Sequence, residues 1–154
     1  MCRESVCERC YWEAEWSVSQ GWGRVHIAVT YKAQNKAAAQ HAAFGQNKTS
    51  WILECDYGDG GQSYSVCHYY RTHTPAPPSP YRRAGAGADG EGVCVYYRVG
   101  VCVDRPAGTL SFYSVSDSDT LTLLHTFHTH FTEHTPLCPG FHVYDSSVSL
   151  CQLE

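Results

Sequence analysis

Between Arg98 and Tyr113 the chain reads RVGVCVDRPAGTLSFY, and no other run constrains the fold as tightly. Val99, Val101 and Val103 occupy alternate positions, Asp104-Arg105-Pro106-Ala107-Gly108 carries turn formers, and Thr109 to Tyr113 resumes the alternation. Branched residues at period two fit a pleated strand with one buried face, whereas a helix would scatter them around its circumference. Pro and Gly between two such segments fold them back on one another as a hairpin. Leu110 and Phe112 share a face of the second strand and are expected in the core. Gly108 is expected to hold a backbone conformation that a Cβ would strain.

The same period recurs along the chain. Val25, Ile27, Val29 and Tyr31 alternate with His26, Ala28 and Thr30. Trp51, Leu53 and Cys55 form a second set, Tyr64, Val66, His68 and Tyr70 a third, and Val148 and Leu150 a fourth. Clusters of turn residues separate them: Gly58-Asp59-Gly60-Gly61, Ser116-Asp117-Ser118-Asp119 and Asp145-Ser146-Ser147. No 3.6-residue period lasts a dozen residues. Short strands with frequent turns predict an all-β, antiparallel two-sheet sandwich. Trp12, Trp16 and Trp51 lie in strand patterns and are expected in the core. Lys36 to Ala43 is helix-prone but short, so one or two helical turns inside a loop are expected there. Thr74–Pro80 and Ala84–Gly92 read together as one long loop or insertion at about 71–97. Gly92-Val93-Cys94-Val95-Tyr96 nearly repeats Gly100-Val101-Cys102-Val103-Asp104. Two such segments could compete for one sheet position, as a tandem duplication or an imperfect gene model over about 83–97 would produce.

A length of 154 residues suggests one domain over 1–154, with enough surface removed from water to build a real core. The net charge is −4 and the basic residues are scattered, which excludes the basic stripe a nucleic-acid track needs. No run approaches a membrane span, so no membrane partner is expected. Nine cysteines with no apolar export signal after Met1 suggest reduced thiols and a cytoplasmic location, where buried cysteines pack as small hydrophobes.

Sites for chemistry are few. Gly85-x-Gly87-x-x-Gly90 matches a dinucleotide fingerprint by letters, but prolines precede it and a β-branched run follows, where the mechanism needs a strand and then a helix. No cofactor is expected. Cys7-x-x-Cys10 lacks the second pair of a structural zinc site. His125, His128, His130, His134 and Cys138 form the densest ligand cluster. His128 and His130 would share a face if both lay on a strand, yet solvated imidazoles are the expected reading and no metal site is assigned. Asp117 and Asp119 sit in a turn, where Asp is common for its own backbone hydrogen bonding. No nucleophile elbow is present, so no catalytic residue is assigned. Tyr and Arg dominate binding hot spots. Tyr69, Tyr70, Arg71, Tyr81, Arg82 and Arg83 flank the Pro-rich loop and are the candidate protein-binding residues.

Three segments carry a family resemblance in the same order along the chain. YWEAEW (Tyr11–Trp16) resembles an opening YWEVEW, VDRPAGTLSFY (Val103–Tyr113) resembles an LD-x-x-AGTLSFY hairpin, and PLCPGF (Pro136–Phe141) resembles a late PLYPGF. All belong to the SPRY domain family, and FGQNKTSW (Phe44–Trp51) extends the similarity, which runs from about Cys2 to Leu153. It is nearest the SPRY halves of fish tripartite-motif and NACHT-leucine-repeat immune proteins. The resemblance implies a concanavalin-like jelly-roll sandwich that is not an enzyme. It implies recognition of a protein partner, in innate immune signalling, through loops at one end: Lys32–Asn47, Asp56–Gln62, Tyr69–Glu91 and Thr132–Cys138. The sequence departs from the family in four places. It opens at the YWEVEW strand without a PRY segment, it carries an extra segment at about Arg83–Tyr97, and it has Cys67 for a Trp and Cys138 for a Tyr. Two competing readings remain at this point: a metal- or cysteine-dependent enzyme using the His125–Cys138 cluster, and a gene fragment with no function of its own.

Overall fold

The computed structural model describes residues 8–18, 21–31, 50–58, 61–69, 71–73, 83–86, 93–131 and 135–151, with backbone alone at 73, 83–86 and 93–95. Among these residues there are eleven strands and no helix: β1 (Arg9–Val18), β2 (Gly23–Tyr31), β3 (Ser50–Gly58), β4 (Gly61–His68), β5 (Arg71–His73), β6 (Arg83–Ala86), β7 (Val93–Asp104), β8 (Thr109–Val115), β9 (Leu121–His128), β10 (Leu137–Tyr144) and β11 (Ser146–Leu150). They form two antiparallel sheets. One has the order β11-β1-β7-β8-β9 with β6 alongside β7, and the other has the order β10-β2-β3-β4-β5. The helix-prone Lys36–Ala43 lies outside the described residues.

The period-two residues bury where expected. Val25, Ile27 and Val29 of β2, Leu53 of β3, Val66 of β4, Val99, Val101 and Val103 of β7, and Leu110 and Phe112 of β8 form the core between the sheets with Trp16 of β1. In YWEAEW the even positions point inward: Trp16 and Ala14 are core residues and Trp12 packs against them. The odd positions make the outer face, where the Tyr11 hydroxyl donates to Glu13 Oε2 at 2.5 Å and Arg98 lies 3.5 Å from the same carboxylate. Glu13 is nearly buried, and a buried carboxylate is tolerable only with such partners.

The β7–β8 hairpin has the turn chemistry its residues dictate. Asp104 Oδ1 accepts from the Ala107 N–H at 3.0 Å, and the Arg105 carbonyl accepts from the Gly108 N–H at 3.1 Å. Gly108 sits at φ +67, and a Cβ there would lie 2.7 Å from the Thr129 carbonyl oxygen. Conformation and space therefore both demand glycine.

The region around 71–97 corrects the sequence reading. Arg83–Ala86 is not part of a loop but strand β6, paired with Val93–Tyr96. Residues 74–82 and 87–92 lie outside the described residues. The near-repeat segments do not compete, because Val93–Tyr96 and Gly100–Asp104 both lie in the single strand β7. Their offset of eight residues is even, so continuing the strand keeps the same side-chain alternation. β8 stops at Val115, opposite Arg98, and β6 takes the edge of β7 beyond it. Small Gly and Ala side chains hide such a strand from pattern reading, while unpaired backbone groups along β7 favour it.

Candidate functional site

Antiparallel order decides which connections meet. The end of β2, the start of β3, the end of β4 and the start of β5 lie together at one end of the five-stranded sheet, because Thr30 pairs with Ser50, Trp51 with His68 and His68 with Arg71. β10 begins there too, with Leu137 opposite Tyr31. The chain after β9 comes across from the other sheet, and the Phe131 ring lies 5.3 Å from Trp51. Between these segments is an open cleft of about 440 Å³, lined by Tyr31, Trp51, His68, Tyr69, Arg71, Thr129 and His130.

The floor of the cleft is a stack of rings. Trp51 is only 2% exposed. The His68 imidazole lies parallel to it, with centroids 4.7 Å apart and 10° between planes. Tyr31 meets the indole edge-on at 5.7 Å. His68 Nδ1–H donates to the Ser50 carbonyl at 2.8 Å, which fixes the ring's orientation and tautomer. At the mouth, Tyr69 is 47% exposed and Arg71 is also exposed. Tyr69 adopts φ +49, a left-handed conformation that a bulky residue enters at a cost. That conformation ends β4 and turns the chain into β5, so the alternation through Tyr64, Val66 and His68 does not continue.

The six sequence candidates separate. Tyr69 and Arg71 reach the cleft together. Tyr70, Tyr81 and Arg82 lie outside the described residues. Arg83 begins β6 opposite Tyr96, which pairs with Ser17 near the far end of β1. It therefore belongs to the opposite end of the sandwich, because β6 covers the start of β7 while the cleft sits near its finish. Asp56–Gln62 is likewise at the far end, where β3 turns into β4. The four expected loops thus do not share one end, and antiparallel pairing is the reason. In the sequence Tyr31, Trp51 and His68 show only the alternation of strand residues. Counting hairpins would have brought them together, since successive connections alternate between ends.

The described members of the histidine cluster do not converge. β9 stops at His128, so His128 and His130 do not share a strand face, and His130 turns instead to the cleft. His125 packs edge-on against Phe127 at 4.6 Å, and Cys138 is buried in β10. His134 lies outside the described residues. Among the described residues no three His, Cys, Asp or Glu side chains are placed to hold a metal ion. Gly85 lies in β6 rather than ahead of a helix, so the fingerprint lacks its structural context.

A second polar group occupies the outer face of the five-stranded sheet. Arg24 pairs with Asp56 at 2.6 Å, and His26 Nε2 lies 3.1 Å from Glu54. The close approach of the His26 ring nitrogen holds the Glu54 carboxyl below its usual range, while burial pushes Asp56 up. These contacts are cross-strand pairs on a sheet surface.

Comparison with known proteins places this geometry. The SPRY domain family matches residues 9–152. The chain is 35% identical over 147 residues to stonustoxin subunit beta of Synanceia horrida, covering 95% of this chain and 17% of that protein. It is 29% identical over 126 residues to tripartite motif-containing protein 16 of Mus musculus, covering 81% of this chain and 18% of that protein. It therefore spans less than a fifth of the length of these curated relatives. Among solved structures, stonustoxin superposes with a TM-score of 0.57 at 30% identity, over 93% of this chain and 19% of that one. The PSpry domain of TRIM65 superposes with a TM-score of 0.63 at 24% identity, over 94% of this chain and 65% of that one, and shares the two-sheet sandwich. With the family matched across nearly the whole chain and the fold in agreement, this protein belongs to the SPRY domain family.

Proposed function

We propose that this chain holds a protein partner, without catalysing a reaction, through the aromatic cleft at the Tyr31–Trp51–His68 end of the sandwich. SPRY domains are in general protein-interaction modules, and no enzyme family is indicated for this chain. The observation that carries the placement is Tyr69. A glycine would suit φ +49 at no steric cost, yet the position holds a large ring, half exposed, at the mouth of a cleft that also presents Arg71. Backbone strain retained at a binding surface is explained by what the side chain does there. Tyr and Arg supply large contact area and forked hydrogen bonds, the chemistry of interface hot spots. The proposed setting, innate immune signalling in the cytoplasm, rests on the sequence resemblance to tripartite-motif immune proteins and on nine cysteines expected as reduced thiols.

The test is quantitative capture from cell lysate. Wild type is compared with Tyr69→Ala/Arg71→Ala/His130→Ala and with Tyr144→Ala, an exposed tyrosine at the far end of β10. Loss of captured proteins with the cleft variant alone, at unchanged melting temperature, supports the reading. Equal capture by all three folded proteins overturns it.

A further inference from the structure

Resting on the reading of the cleft as the partner site, the charge pattern around it goes one step further. We infer that the cleft recognises an extended segment of the partner in which an acidic side chain stands next to an aromatic or large aliphatic one.

The chain carries fifteen acidic residues against eleven Lys and Arg, so a randomly chosen surface should include carboxylates. Among the described residues the cleft lining has none: apart from two tyrosines, its ionisable members are Arg71, His68 and His130. Elsewhere three described arginines meet carboxylates of this chain, and Arg105 donates to the Thr135 carbonyl at 2.8 Å. Arg9 meets Asp104 at 3.3 Å, Arg24 meets Asp56 at 2.6 Å, and Arg98 meets Glu13 at 3.5 Å and also Asp119. Among the described residues Arg71 has no carboxylate partner, and it is exposed at the cleft mouth. Among the described residues no acid stands beside this guanidinium, so the described part of the cleft is locally positive on an acidic protein. A planar five-donor fork is suited to a carboxylate, which it can grip through two parallel hydrogen bonds.

The remainder of the lining asks for apolar surface. Tyr31, Trp51 and Tyr69 present rings beside the positive mouth, and His68 is held against Trp51 by its bond to Ser50. The volume of about 440 Å³ suits a short segment rather than a folded surface. An acidic side chain on Arg71 and a neighbouring ring or Leu against Tyr69 and Tyr31 would satisfy both halves of the cleft together.

The experiment pans the folded domain against phage-displayed random peptides. Selected sequences are synthesised with an acetylated N-terminus and an amidated C-terminus, and their affinities are measured by calorimetry. The expected hits carry Asp or Glu beside Phe, Tyr, Trp or Leu. Replacing that acid by its amide is expected to weaken binding about tenfold, as is Arg71→Ala in the domain, with little further loss when the two are combined. The peptide-side change keeps the test valid however the protein variant behaves. Hits that need Tyr69 but tolerate acid-to-amide replacement overturn the inference and leave the cleft reading standing. So do hits that bind only through a free terminal carboxylate. Hits indifferent to both Tyr69→Ala and Arg71→Ala, or a library that yields none, remove the cleft reading and the inference with it.

Discussion

Gly108 and Tyr69 stand at the same kind of backbone position, φ +67 and φ +49, and are occupied by opposite kinds of side chain. Gly108 belongs to the β7–β8 hairpin, a local unit whose inner face is fully buried and whose turn is closed by bonds between its own residues, Ala107 to Asp104 and Gly108 to Arg105. There the backbone's needs decide the residue. Tyr69 belongs to the cleft, which is assembled from the ends of strands separated by dozens of residues, and there the side chain prevails over the backbone's preference. The hairpin is thus built for stability and the cleft for contact, and variants at the two places should divide accordingly.

The largest effect is expected at the hairpin's inner face. Phe112 is wholly buried and meets Phe127 edge-on at 6.4 Å. Phe112→Ala should cost on the order of 3–5 kcal/mol in urea denaturation. An unshifted midpoint would mean the hairpin is not the structural half of the comparison.

The two glycines at left-handed positions sharpen it. Gly108→Ala combines strain with a Cβ 2.7 Å from a carbonyl oxygen, whereas Gly21, at φ +73, has nothing within 4 Å of a built Cβ. Gly108→Ala should cost about 2–3 kcal/mol and Gly21→Ala about 1 kcal/mol. Equal melting shifts for the two would show that the Thr129 contact relaxes freely.

Tyr69→Gly is expected to leave stability within about 0.5 kcal/mol of wild type, because relief of strain offsets the added freedom of the unfolded chain. Partner capture should nevertheless fall. A variant that loses several degrees of melting temperature would place Tyr69 with the hairpin as a structural residue.

The smallest effect lies away from both regions, at Glu54. Its carboxyl is held below the usual range, first by the close His26 ring nitrogen. A depressed folded-state value adds stability that is present above the unfolded value of about 4.3 and is lost as pH falls through the folded one. Glu54→Gln should therefore flatten the acid limb of the stability profile below about pH 4.3, with no change in partner capture. An acid limb as steep as wild type would assign the loss to other carboxylates.

The sequence made the first region legible and the second only in part, for a physical reason. Strand faces are local: Val99, Val101, Val103, Leu110 and Phe112 announce their side by alternation, and Gly108 announces its turn. β5 and β6 are too short and β6 too poor in side chains to give a period, and Pro139 tends to hide β10, an edge strand that tolerates the missing N–H. Of the cleft, Tyr69 and Arg71 were visible as exposed hot-spot types beside a loop. Arg83 had the same credentials and went to the opposite end, because composition does not report which end of a sheet a connection occupies. Trp51 and His68 looked like ordinary strand residues, and only the pairing of β3 with β4 makes them a stacked floor.

The most direct measurement is site-specific photo-crosslinking in living cells. A benzophenone-bearing amino acid is placed at position 69, at the cleft mouth, and in parallel at position 144, an exposed tyrosine at the other end of the same sheet. A discrete crosslinked partner from position 69 and none from position 144 is the predicted result. Crosslinking from position 144 with none from position 69 would contradict the account and move the binding surface to the opposite end of the sandwich.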